Sequence, residues 1–161
     1  MTQAQNRQLP SLETTRARLF RIWMTGSGVC ALILAVETIA GRFGQDGSEV
    51  IGWFMPNVLP TLSLMVSLIR TEALRPAVDD PMVKPLFASF AVWGSVAYLG
   101  TILSTILLEP FTAYQPLELL KLSNLWLGPL QGLVVSSIGT LYFSERAQQG
   151  AADDAPRGPA A

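Results

Sequence analysis

Four long stretches of this chain are almost free of charged residues. They cover residues 22–41, which Glu37 alone interrupts, and residues 50–69, 85–108 and 122–144. An α-helix rises about 1.5 Å per residue, so about 20 apolar residues cross a hydrocarbon core about 30 Å thick. Each stretch reaches that length, and none shows the alternation of membrane barrel strands. The sequence therefore predicts an all-α integral membrane protein, an antiparallel four-transmembrane-helix bundle.

The predicted membrane domain extends over residues 19–144. Its spans are expected at about 19–41, 50–70, 85–108 and 120–144. Residues 1–18 form a polar N-terminal segment. Residues 145–161 are rich in Ala, Gly, Gln, Pro and Asp without apolar periodicity, which predicts a disordered tail. The apolar run of the first span is longer than the roughly 7–15 residues of a secretory signal, so this span is expected to be retained.

The composition of the chain excludes several classes of functional site. Charged residues make up 14% of the chain, against roughly 25% in soluble domains. The chain has no histidine, which removes a Ser-His-Asp triad, His-ligated zinc and bis-His haem. The single cysteine, Cys30, cannot form an intrachain disulfide, and a net charge of −1 gives no basic face for nucleic acid. The prediction is a non-enzymatic protein without metal, cofactor or nucleic-acid partner.

Lysine and arginine alternate in number along the chain. The segment up to residue 21 holds four, the first connection one, the second three, the third one and the tail two. Cytoplasmic segments are enriched in these residues, so both termini are expected in the cytoplasm. The predicted location is a bacterial inner membrane or another plasma membrane. Trp23 and Trp93 would then lie at the inner interface, and Trp53 and Trp126 at the outer one.

The fourth span carries a small residue at every fourth position, namely Gly128, Gly132, Ser136 and Thr140. Small residues at this spacing let membrane helices approach closely. The strip could pack inside the bundle, where short connections make successive spans antiparallel neighbours. It could instead form an interface with a second copy or another membrane protein. Packing inside the bundle is the preferred interpretation, because such spacings also arise by chance.

Prolines interrupt two predicted spans. Pro56 and Pro60 lie four residues apart in the second span, and Pro129 lies in the fourth. Each removes an amide donor and obstructs the carbonyl one turn earlier. A helix kink or a short unwound stretch is expected, and the freed carbonyls need partners from neighbouring helices or water.

Polar residues within the spans gather at similar depths, toward the outer face. The candidate polar site consists of Glu37, Asn57, Tyr98, Thr101 and Gln131. Polar and ionisable groups in a membrane are costly, so each is a functional candidate. The alternative for Glu37 is that it is hydrated at the interface or pairs with Arg42 beyond the helix end.

These features predict a small membrane protein that acts as an oligomerising or accessory subunit of a membrane assembly. Its expected partners are the lipid bilayer and either further copies of the chain or another membrane protein. The alternative is a small channel or transporter, with the candidate polar site lining a vestibule open to the outer face. No catalytic, nucleotide-binding or metal-ligand spacing supports an intramembrane enzyme.

Overall fold

A computed structural model describes residues 12–73 and 85–153. Its long elements are four helices, α1 (Leu12–Ile39), α2 (Gly47–Ala73), α3 (Pro85–Leu108) and α4 (Pro116–Asp153). Two short 3-10 helices, Gly44–Asp46 and Glu109–Phe111, lie between α1 and α2 and between α3 and α4. The described residues contain no strand, so the all-helical prediction is confirmed.

The helix ends depart from the predicted boundaries. α1 begins at Leu12, before the predicted span, and α4 continues to Asp153, beyond the predicted end at 144. Residues 145–153, predicted as disordered, are therefore helical. They include three alanines and two glutamines, residue types that favour the continuation of a helix. Predictions for residues 1–11 and 154–161 lie outside the described residues.

The four helices pack in a ring whose order differs from the chain order. α1 contacts α2 and α3, and α4 also contacts α2 and α3. Successive helices are therefore neighbours at the first and third connections, as expected, but α2 and α3 lie across the diagonal from each other. The prediction that all successive spans are neighbours is wrong at this point. Eleven residues separate α2 from α3 in the sequence, more than separate α1 from α2 or α3 from α4, and a longer separation allows successive helices to occupy opposite corners of the ring.

α1 and α3 run parallel and approach closely. The indole Nε1 of Trp23 donates to Ser95 Oγ at 3.0 Å, and one turn further along α1 Gly26 lies against Leu99. The contacts advance together along both helices, which defines a parallel pair. A Cβ at Gly26 would lie 2.8 Å from Leu99 Cδ1, so the absence of a side chain there permits this approach.

α2 and α4 form the second parallel pair. Glu49 near the start of α2 pairs with Lys121 near the start of α4, with 3.0 Å between carboxylate and ammonium. Further along, Pro56 accepts a hydrogen bond from Gln131. The two helices therefore cover the same depth over this length.

Within the described residues, three helical segments are long and apolar enough to cross a membrane, Thr14–Ile39, Gly44–Ser67 and Ala88–Phe111. α4 is not among them. Its amide residues Asn124 and Gln131, together with Pro129, lower the hydropathy of its central part. Large apolar side chains are exposed on all four helices, including Leu32, Leu59, Leu86 and Leu125, as expected for helices in lipid.

The core contains two of the tryptophans predicted at membrane interfaces. Trp23 and Trp53 are buried, whereas Trp93 and Trp126 are exposed. The rings of Trp23 and Trp53 therefore do not face lipid, whereas their depth near the two membrane interfaces stays a prediction. The indole of Trp23 packs inside the bundle with its N–H bonded to Ser95, which satisfies its polar group without interfacial water.

Candidate functional site

Asn57 on α2 is the centre of a buried polar cluster. Its side chain is nearly inaccessible and its amide donates to the carbonyl of Trp53 one turn earlier, at 2.8 Å. The hydroxyl of Tyr98 on α3 donates to the Asn57 carbonyl at 2.9 Å and lies 3.2 Å from its Oδ1. Tyr98 is fully buried. This hydrogen bond joins the two helices that lie across the diagonal of the ring.

α4 contributes two amides to the same cluster. Gln131 Nε2 donates to the Pro56 carbonyl at 3.1 Å and lies 3.5 Å from the Asn57 carbonyl. The side-chain nitrogen Nδ2 of Asn57 lies 3.4 Å from Asn124 Oδ1. Pro60 has no N–H to donate to the carbonyl of Pro56, four residues earlier. Gln131 therefore supplies the donor that Pro60 lacks, and the expected need of a partner helix is confirmed at this carbonyl.

Both proline-containing helices remain continuous. α2 is helical through Pro56 and Pro60, and α4 is helical through Pro129. The short unwound stretch considered from the sequence is therefore absent. In α2 the reason is visible, since the carbonyl freed by Pro60 is satisfied from α4 and does not have to leave the helix to find a donor.

The cluster continues toward α1 through an aromatic contact. The rings of Trp23 and Tyr98 lie 5.7 Å apart between centroids, tilted by 30°. The Trp23 indole donates to Ser95, and the Ser95 hydroxyl bonds to the Ala91 carbonyl. Polar and aromatic contacts thus connect all four helices.

Three members of this cluster, Trp23, Ser95 and Asn124, are absent from the predicted set. Helical spacing could have found two of them. Ser95 precedes Tyr98 by three residues and Asn124 precedes Gln131 by seven, so each shares a helix face with a predicted residue. Helical spacing could not identify the residues of other helices that contact this cluster, because those contacts depend on the order of the helices in the ring.

Glu37 lies apart from this cluster, at the end of the bundle where α1 and α3 finish. Its Oε1 is 3.9 Å from Arg42 Nη1, so the predicted pairing with Arg42 is confirmed. The closer partner of Arg42 is Glu109, with 2.7 Å from Nη2 to Oε2 and 3.0 Å from Nε. Glu37 Oε2 is buried and has no hydrogen-bond partner within the described residues. Two carboxylates here share one guanidinium.

Thr101 also lies apart from the Asn57 cluster. Its hydroxyl donates to the Ala97 carbonyl at 2.8 Å, within its own helix. With Thr105 and Trp126 it lines an open cavity of about 460 Å³ between α3 and α4. The five predicted residues therefore occupy three places, and only Asn57, Tyr98 and Gln131 form one site.

The small-residue strip of α4 faces away from the bundle. Gly128, Gly132, Ser136 and Thr140 are all exposed, and a Cβ added at either glycine would meet no atom within 4 Å. The preferred interpretation, packing inside the bundle, is wrong for this strip. A different face of α4 is buried, and it contains Leu120, Ser123, Leu127, Val134 and Ile138. Leucine and β-branched side chains fill the bundle interior, which leaves the strip outside.

The Asn57 cluster consists of neutral amides and hydroxyls that bond to one another and to main-chain carbonyls. Such an arrangement holds helices together, and the donors of Asn57, Tyr98 and Gln131 are already engaged within the protein. The comparisons reveal no relative from which a role could be transferred. No protein-family model, curated protein or solved structure matches this chain.

Proposed function

We propose that this chain is a small, non-enzymatic multi-pass membrane protein that serves as an oligomerising or accessory subunit of a membrane assembly. The observation that carries the proposal is the exposed strip Gly128, Gly132, Ser136 and Thr140 on α4. No atom of the described residues would contact a Cβ added at either glycine. Small residues at this spacing suit the close approach of a second helix, where main-chain contacts and hydrogen bonds replace lipid.

Four membrane crossings are part of the proposal. α4 runs parallel to α2 in register, from the Lys121–Glu49 pair to the Gln131–Pro56 hydrogen bond. A helix that packs alongside a spanning helix shares its depth. The two amides that lower the hydropathy of α4 bond to α2, so their polarity is not presented to lipid unpaired. These contacts support four crossings with both termini on one side.

The surface around the strip suits a helix partner. Leu125 and Leu133 lie beside the glycines and are 70% and 57% exposed. Large apolar side chains next to a shallow glycine surface form the ridge and groove into which a second helix packs. Ser136 and Thr140 lie further along the same face, and the Thr140 hydroxyl donates to the Ser136 carbonyl within the helix. Hydroxyls on such a face can also bond across to a partner helix.

The Asn57 cluster supports this role indirectly. Its hydrogen bonds attach α4 to α2, and the Trp23 contact attaches α3 to α1. In lipid such bonds help set which face of each helix turns inward. They therefore orient the strip of α4 toward the outside of the bundle.

The test replaces both glycines, Gly128→Leu and Gly132→Leu, in the full chain. We expect the assembly to dissociate or the co-purifying partner to be lost, measured by mass in mild detergent and in lipid nanodiscs. The matched control is Gly28→Leu on α1, another exposed glycine with nothing within 4 Å of an added Cβ. An assembly that survives the double substitution, or that Gly28→Leu disrupts equally, would refute the proposal.

The alternative, a small channel or transporter with a vestibule on the outer face, has one observation in its favour. Glu37 Oε2 is buried without a hydrogen-bond partner among the described residues, near the end of the bundle. If this carboxylate handles a solute or ion, Glu37→Gln should alter flux in reconstituted vesicles at unchanged protein content. Wild-type vesicles that conduct no tested ion or solute would dismiss this alternative.

A further inference from the structure

The end of the bundle at which α1 and α3 begin contains two adjoining concavities that share Arg18. The first, of about 140 Å³, lies between α1 and α3 and includes Thr15, Ser89 and Trp93 in its lining. The second, of about 520 Å³, follows α1 from Arg18 and Arg21 toward the bilayer centre. Together they make a groove that is polar at the helix ends and apolar further in.

The polar end of this groove is positively charged. Arg18 and Arg21 are exposed, and within the described residues neither forms an ion pair with a carboxylate. Arg21 Nε makes only a long contact, 3.4 Å, with the Ala17 carbonyl. Residues 1–21 contain four arginines and one glutamate, a net charge of +3. An anion in the groove would therefore meet two guanidinium groups that no carboxylate among the described residues neutralises.

The remainder of the groove is a mainly apolar surface that suits a lipid acyl chain. Its wall beyond the arginines is formed by Ile22, Thr25 and Gly26. The eight residues from Arg18 to Gly26 rise about 12 Å. The indole of Trp93 is 72% exposed. It lies at about the depth of Arg21, because α1 and α3 are parallel and Trp23 bonds to Ser95. Exposed tryptophan at this depth is typical of the membrane interface.

We propose that this groove binds one anionic phospholipid from the leaflet that surrounds the beginning of α1. Arg18 and Arg21 hold the phosphate, the Trp93 ring contacts the glycerol region, and one acyl chain follows Ile22 toward Gly26. Basic pockets between membrane helices recognise lipid headgroups in this manner. The site lies on α1 and α3 and is independent of the α4 strip, although it requires that the chain spans a membrane.

The test measures lipid retention by the full chain in mild detergent, using native mass spectrometry with phosphatidylglycerol or phosphatidylcholine added. Wild-type protein should retain one phosphatidylglycerol in preference to phosphatidylcholine. Arg18→Gln and Arg21→Gln should each weaken this preference about fivefold, the ratio that corresponds to about 1 kcal/mol per basic residue. Arg146→Gln removes the same charge from the C-terminal segment and should leave the preference unchanged.

A second arm separates a lipid site from a simple anion site. Inorganic phosphate, added in large excess over the lipid, should not displace phosphatidylglycerol, because it cannot use the Trp93 and Ile22 surface. Displacement by phosphate would overturn the proposal. So would an unchanged preference in the double variant Arg18→Gln, Arg21→Gln, or an equal loss in Arg146→Gln. None of these outcomes depends on whether the α4 strip assembles.

Discussion

Gln131 on α4 donates a hydrogen bond to the main-chain carbonyl of Pro56 on α2, with 3.1 Å between Nε2 and the oxygen. Pro60, four residues after Pro56, has no amide hydrogen to offer this carbonyl. A helix defect in α2 is therefore compensated by a side chain from its neighbour. The same hydrogen bond also holds the two helices in parallel register. The Pro56 carbonyl oxygen therefore contributes both to the continuity of α2 and to its packing against α4.

Replacing Gln131 with Leu should destabilise the bundle. The Pro56 carbonyl would lose its donor in a setting poor in water, and interhelical hydrogen bonds in membranes contribute about 0.6 to 1.7 kcal/mol. We expect a loss in this range in unfolding by denaturing detergent. The decisive comparison introduces Gln131→Leu into a Pro60→Ala background. There the main-chain N–H of residue 60, which can donate to the Pro56 carbonyl, is restored. The cost of Gln131→Leu should then become smaller, and an equal cost in both backgrounds would contradict this interpretation.

Tyr98→Phe removes the hydroxyl that bridges α3 to Asn57 on α2. The hydroxyl is buried and bonds to the Asn57 carbonyl at 2.9 Å. We expect a loss of about 0.5 to 1.5 kcal/mol in unfolding free energy, the usual range for one hydrogen bond. Tyr114→Phe is the matched control, since Tyr114 is exposed. Equal effects at both positions would exclude a role for the diagonal contact.

The Arg42–Glu109 and Lys121–Glu49 ion pairs should differ in strength. Arg42 joins Glu109, which is 8% exposed, and also approaches Glu37. Lys121 and Glu49 are both exposed in their pair. Arg42→Gln should cost about 1–3 kcal/mol, because it leaves the buried Glu109 carboxylate without its donor. Lys121→Gln should cost under about 1 kcal/mol and be reduced further by salt. Thermal unfolding of the two variants at low and high salt measures the contrast.

Four crossings require that both chain ends lie on the same side of the membrane, whereas three would place them on opposite sides. In a Cys30→Ser background, a cysteine at Asp46, between α1 and α2, should react with an impermeant maleimide added from outside. A cysteine at Arg146 should react only after the membrane is opened. Outside labelling at position 146 would show that α4 does not cross.

Several features of this protein were predictable because they are local. Long uncharged runs specify helices of membrane-spanning length, and Glu37 with Arg42 five residues later specifies a pair at a helix end. A proline in a helix always leaves a carbonyl in need of a donor, so a partner for Pro56 could be expected. The donor itself could not be identified, because Gln131 is 75 residues away along the chain.

The uncharged stretches by themselves determined the helical class and the approximate span lengths, since hydrocarbon admits few other backbones and helix rise converts residue number into depth. Only the tertiary structure decided how the helices are arranged. The ring order places α2 opposite α3, joins Asn57 to Tyr98 and Gln131, and separates Glu37 and Thr101 from them. It also turns the Gly128–Thr140 strip outward. The physical reason is that helix spacing defines the faces of one helix, whereas the face that is buried depends on side chains of other helices, far away in the chain.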